Sequence, residues 1–110
     1  MKRVLVLLLA TLSFAAGAQQ RNFDATVIKT TKLTESLYML EGEGGNIGVS
    51  VGEDGIMVID DQFAPLTPKI LAAIRAISDK PLKYLLNTHV HGDHVGDSST
   101  IANIARNHVR

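Results

Sequence analysis

Three of the four histidines in the chain fall close together with one aspartate, as His89, His91, Asp93 and His94. Imidazole nitrogens and carboxylate oxygens are the donors that zinc accepts where no thiolate is present. The chain has no cysteine, so any metal must be held by His, Asp or Glu. In extended backbone, residues two apart project to the same side, so His89 and His91 can reach one ion. A turn toward helix at Gly92 would aim Asp93 and His94 back at a second ion beside the first. Two ions about 3.5–4 Å apart can share a bridging hydroxide and hold a substrate oxygen together. Gly92 is the residue expected to let the backbone turn sharply. The competing reading is a polar loop with surface histidines. A lone histidine would fit it, but four donors at this spacing after a strand read as a metal motif. His108, well past the cluster, reads as an ordinary exposed histidine.

Positioning such a loop needs a strand before it and a layer beneath it. Leu82 to Asn87 reads as that strand and leads directly into Thr88. Ahead of it, Thr67 is expected to cap a helix with Pro68 in the first helical position. Ile70, Leu71, Ile74 and Ile77 then form one apolar face, and Asp79-Lys80-Pro81 stops the helix. Ile56 to Ile59 is apolar without alternation, as expected of a strand covered on both faces. It ends in Asp60-Asp61, and Asp60 taken alone fits a turn acid at the end of a strand. Ile47, Val49 and Val51 alternate with Gly48 and Ser50, the pattern of a half-buried strand. Asp54-Gly55 suits the hairpin turn between these two strands. Ala25 to Thr31 and Leu37 to Glu41 read as further strands, with a reversal at Gly42-Glu43-Gly44-Gly45. Ser98 to Arg110 has a weak helical pattern with Ile101, Ala105 and Ile104 inward. Hairpins mixed with one β-α-β step give an α+β sheet with helix packed on one face.

The bulk composition narrows the partners. The chain has 110 residues, which fits one small domain. Lys plus Arg and Asp plus Glu number 11 each, so no charge excess points to nucleic acid or a membrane surface. Residues 1–18 read as an export signal: Lys2 and Arg3, an apolar stretch from Val4 to Ala16, then Ala16-Gly17-Ala18 as a cleavage site. The stretch is short of the ~20 apolar residues of a spanning helix, so no stable membrane anchor is expected. The mature domain, 19–110, would then be periplasmic or secreted.

Thr88 to His94 matches the HxHxDH signature of the metallo-β-lactamase superfamily, which the chain resembles from about Leu33 to Gly96. Asp60, ending a buried strand, matches the family's first acidic motif, and Gly45-Asn46 precedes a strand as it often does there. The resemblance implies the N-terminal half of an αββα sandwich. It implies two zinc ions, with iron in some members, and a small-molecule substrate: a β-lactam, a thioester or another ester. His89 and His91 would hold the first ion. Asp93 and His94 would hold the second, Asp93 also orienting the attacking water, and Asp60 would support the ligands from behind. The chain departs from the family in having Asp97-Ser98-Ser99 after Gly96 in place of a Gly-Gly pair. It also lacks the family's downstream ligands, so a hydrolase cut short is expected. The alternative is a non-catalytic exported fragment or a small metal-binding protein. An incomplete sandwich would leave an apolar sheet face around Val49, Val51 and Val58 open to self-association.

Overall fold

The computed structural model describes residues 21–107. The export segment at 1–18 and His108 lie outside the described residues. Five strands form one sheet in sequence order: β1 (Lys29–Lys32), β2 (Leu37–Glu41), β3 (Ile47–Val51), β4 (Ile56–Ile59) and β5 (Leu82–Leu86). The first three pairings are antiparallel and β4–β5 is parallel. Helix α1 (Thr67–Ile77) makes the crossover between the two parallel strands, and α2 (Ser98–Asn107) follows the histidine loop. This is the expected α+β arrangement, a mostly antiparallel sheet with packed helix.

The hairpin between β3 and β4 forms where the glycine permits it. Gly52 N–H donates to Gly55 O across the turn, and a Cβ at Gly55 would lie 2.5 Å from the Pro81 carbonyl oxygen. Gly55 therefore lets the hairpin lie against the entry to β5.

The core lies on one face of the sheet. Leu40, Ile47, Val49, Ile56, Val58 and Leu82 are fully buried there against Leu66, Ile70 and Ile74 from the α1 region and Ile101 from α2. At helical spacing, Ile70 and Ile74 fall on one stripe, as do Ile101 and Ala105. Truncating any of these large side chains to alanine costs about 2–5 kcal/mol in such a core.

Several expectations are corrected. Val49 and Val58 lie under the helices and Val51 is packed against the same core, so they do not form the open face. The uncovered side is the opposite one, where β-strand alternation places Met39, Met57, Ile59, Tyr84 and Leu86. For the same reason β4 is covered on one face only: Ile56 and Val58 are buried, Met57 and Ile59 partly exposed. One extra residue, Lys83, enters β5 where the register shifts between Ile56/Met57. That bulge keeps Leu85 facing the core and turns Tyr84 and Leu86 outward.

The first strand is shorter than expected, because Phe23–Ala25 forms a 3-10 turn. Lys69 Nζ on α1 donates to the carbonyls of Phe23, Asp24 and Thr26 at 2.9, 2.8 and 2.6 Å, which holds this segment off the strand ladder. Thr67 does not cap α1. Leu66 occupies that position after a 3-10 turn, and the buried Thr67 hydroxyl has no hydrogen-bond partner. Among the described residues no helix is long and apolar enough to cross a membrane.

Candidate metal centre

The two parallel strands end side by side, and each delivers chemistry at its carboxyl end. β4 runs into Asp60, while β5 runs into Thr88 and the histidine loop. Asp60 N–H donates to Leu86 O at 2.8 Å, so the pairing continues past the strands and fixes the loops relative to each other. Ligand sites in sheets with parallel strands form at this end. Asp60 and Gln62 both adopt positive φ, 65° and 55°. Such values are uncommon outside glycine and mark backbone whose surroundings hold it in place.

Asp60 is buried and collects three polar contacts. Its Oδ1 accepts from Thr88 N–H at 2.8 Å, and its Oδ2 accepts from Thr88 Oγ1 at 2.8 Å. The same Oδ2 lies 2.7 Å from His94 Nδ1. Burial pushes the Asp60 carboxyl up. The Thr88 backbone bond, the His94 and Thr88 side-chain bonds and the attraction of His94 together outweigh burial, leaving the carboxyl below its ordinary range. An ionised carboxylate only accepts, so His94 Nδ1 must carry the proton. The other nitrogen, Nε2, then keeps its lone pair for a metal.

The loop brings the remaining donors together. One donor atom each from His89, His91 and Asp93 lies within 4.8 Å of the others. Around a tetrahedral zinc with bonds near 2.0–2.2 Å, donor atoms stand about 3.4 Å apart, so modest side-chain movement closes the set. His94 joins from the other side: Nε2 lies 3.5 Å from Asp93 Oδ2, and its ring centroid is 4.0 Å from that of His89. His89 and His91 meet edge to face at 4.7 Å. Thr88 Oγ1 also touches His89 Nδ1 at 2.8 Å, linking Asp60 to a second imidazole. His89, His91 and Asp93 form a group that could hold a metal ion, with His94 beside it, and imidazole and carboxylate donors of this kind fit zinc. His89 and His91 are exposed, Asp93 and His94 half-buried.

The structure groups Asp93 with His89 and His91, where the sequence suggested a split of two donors for each ion. Gly92 does not carry a positive φ, and a Cβ there would meet nothing within 4 Å. The bend is made instead by turn hydrogen bonds, with His94 N–H and Val95 N–H both donating to His91 O at 2.9 and 3.2 Å.

Residues that sequence reasoning passed over hold the loop. Asp61 N–H donates to His94 O at 3.0 Å, and Gly96 N–H donates to Gln62 O at 2.8 Å. Gly96 runs so close to Gln62, Phe63 and Ala64 that a side chain would collide with their backbone. Thr88, read only as part of the motif, is the partner of Asp60. A hydroxyl residue directly before the first histidine was the available signal. Asp61 is fully buried, with its carboxyl facing Asp97 and Ser98 at the start of α2. Burial pushes its carboxyl up. The Ser98 side chain and Asp97 backbone at the start of α2 pull the other way, while the charges of Asp97 and Asp60 add to the rise.

A groove of about 660 Å³ lies between β5 and α2, lined by Tyr84, Leu85, Asn87, Ser98 and Ala102 among others. It does not include the histidines.

Comparison with solved structures finds the same fold in part of several larger proteins. A class B3 di-zinc metallo-beta-lactamase from an Alaskan soil metagenome aligns with TM-score 0.68 and 20% identity, over 78% of this chain and 33% of that one. A subclass B3 metallo-beta-lactamase of Bradyrhizobium japonicum aligns with TM-score 0.65 and 24% identity, over 73% and 31%. A beta-lactamase from Chitinophaga pinensis aligns with TM-score 0.68 and 18% identity, over 83% and 35%. The chain thus spans about a third of the length of these structures. Comparison with curated protein sequences finds no match. The family model described as the metallo-beta-lactamase superfamily matches residues 40–110, from the end of β2 through the histidine loop and beyond. On that match, and on the sheet and loop it covers, the chain belongs to the metallo-beta-lactamase superfamily.

Proposed function

We propose that the chain carries the first part of a zinc-dependent hydrolase centre acting on a small-molecule carbonyl compound, a β-lactam, thioester or other ester. The observation that carries this reading is the convergence of His89, His91 and Asp93 beside a His94 whose Nδ1 is committed to Asp60. Zinc bound there supplies Lewis acidity and a water acidic enough to attack a carbonyl near neutral pH.

The chain's own residues have distinct tasks in this reading. His89 and His91 hold the metal from the exposed side of the loop. Asp93, whose Oδ2 lies 3.5 Å from His94 Nε2, is placed beside the histidines to share in holding the metal, to orient the water and to take its proton at a carboxylate oxygen. His94 completes the donor set through Nε2, with Asp60 fixing its tautomer. In this reading the substrate-contacting surface and further ligands come from the rest of the fold, since the chain spans about a third of the length of the larger structures. We also propose that residues 1–18 direct export and are removed. The alternative, a small exported metal-binding protein without turnover, shares the metal site and differs only in activity.

The test joins this chain to the C-terminal part of a complete relative and assays β-lactam and thioester hydrolysis with zinc. Activity in the chimera that disappears with Asp93→Ala supports the hydrolase reading. A chimera that folds and binds zinc but turns over neither substrate class contradicts it.

A further inference from the structure

The Gly42–Gly45 turn between β2 and β3 lies directly against the histidine loop, and its fit there is tighter than a hairpin requires. A Cβ at Gly45 would fall on the His94 ring, colliding with Cε1 and lying 2.5 Å from Nε2 and 2.9 Å from Nδ1. Real Cβ atoms do not approach other heavy atoms this closely, so His94 occupies the space that a side chain at position 45 would need. Gly45 does not carry a positive φ. The demand for glycine there comes from this contact and not from the backbone.

The turn is held in place from beneath. Gln62 is fully buried, its Nε2 donates to the Gly45 carbonyl oxygen, and its Oε1 sits 2.7 Å from where a Cβ of Gly42 would be. The Gln62 carbonyl accepts from Gly96 N–H, just past the histidine loop. One residue therefore ties the Gly42–Gly45 turn to the chain as it leaves the histidine loop. On the opposite side, Asp60 takes His94 Nδ1 at 2.7 Å.

We propose that Gly45 and Gln62 are positioning residues for the metal centre: Gln62 pins the turn so that Gly45 forms the wall holding His94 with Nδ1 on Asp60 and Nε2 open toward Asp93 and His89. This deepens the metal-centre reading and rests on it for the role of Nε2. Two movements would displace the ring, one from adding bulk at position 45 and one from releasing the wall. Gly45→Ala does the first. Gln62→Met, close in volume but unable to donate to the Gly45 carbonyl, does the second.

The test uses the whole chain and two readouts. The first is the nuclear magnetic resonance signal of the His94 Nδ1 proton in its hydrogen bond to Asp60, recorded without metal. The second is the visible spectrum and affinity of added cobalt(II), which reports ligand number and geometry. Gly52→Ala is the control, since a Cβ there meets only Gly55 O at 3.6 Å, in a hairpin remote from the histidines. Gly45→Ala should abolish the protected imidazole proton and weaken cobalt binding by about tenfold or more, with an altered spectrum. Gln62→Met should shift both readouts in the same direction, and Gly52→Ala neither. If Gly45→Ala does not fold, Gln62→Met decides alone. A native imidazole signal and a native cobalt spectrum in a folded Gly45→Ala or Gln62→Met protein would overturn the proposal. Failure of the wild-type chain to bind cobalt would count against the metal reading, while the imidazole signal would still decide whether Gly45 and Gln62 place His94.

Discussion

Replacing Asp60 by asparagine separates the stability of the loop from its ability to bind metal. Asp60 accepts from Thr88 N–H, from Thr88 Oγ1 and from His94 Nδ1. The Thr88 backbone N–H can only donate, so in Asp60→Asn the amide oxygen must stay on that side. The amide nitrogen then faces Thr88 Oγ1, which can accept, and His94 Nδ1, which must now accept as well. His94 is driven to the tautomer with its proton on Nε2, the nitrogen needed for the metal. Charge-assisted bonds become neutral ones, roughly halving their strength, so the stability loss should be about 1–2 kcal/mol. Metal affinity should fall by about 10–100-fold, as for loss of a carboxylate behind a ligating histidine. The assays are denaturant unfolding, zinc titration by calorimetry, and the nitrogen-15 shifts of the His94 ring, which report the tautomer. The acid side gives a further check. The folded Asp60 pKa lies below its unfolded value of about 3.9. Its contribution is therefore present above the unfolded value and lost as pH falls through the folded one, and the variant should lack that loss. Unchanged zinc affinity with the Nε2 lone pair still free would refute the tautomer argument.

Asp61 should behave in the opposite sense. Burial raises its folded pKa, so wild-type stability is penalised as pH climbs past the unfolded carboxylate value, and Asp61→Asn should raise the melting temperature more near pH 7 than at about pH 4. An equal shift at both pH values would show that the buried carboxylate carries no charge penalty. Intact-mass measurement of exported protein should find the chain beginning at Gln19, and retention of residues 1–18 in a membrane pellet would contradict export with cleavage. We further expect self-association through the uncovered sheet face, where Tyr84 and Leu86 are 63% and 52% exposed. Sedimentation should show dimers or larger species that Tyr84→Ser with Leu86→Ser reduces. A monomeric wild type at high concentration would dispose of that proposal.

Much of the architecture was legible because it rests on local signals. The period-two pattern of Ile47, Val49 and Val51, the Asp54-Gly55 turn and the helical stripe of Ile70 and Ile74 all act within a few residues. The side of the sheet that the helices cover was not legible in that way. Both faces of β4 carry apolar residues, and only the crossover of α1 and the docking of Ile101 select Ile56 and Val58 over Met57 and Ile59. The strand expected from Ala25 begins only at Lys29, because Phe23–Ala25 forms a 3-10 turn and Lys69, far along the chain, takes the Thr26 carbonyl. At the candidate site the ligand types were visible from spacing. Their support was not, since the Asp60–His94 and Gln62–Gly45 contacts join residues that share no local pattern. Gly92 showed the converse error: a glycine inside a motif invites a conformational explanation, yet its backbone does not need one.

The central claim is that His89 and His91 hold a metal with Asp93. Its most direct test is elemental analysis of zinc in the purified chain after gel filtration, beside the His89→Ala, His91→Ala double variant. The wild-type chain should retain close to stoichiometric zinc and the folded double variant should lose most of it. Equal zinc in the two proteins would contradict the assignment.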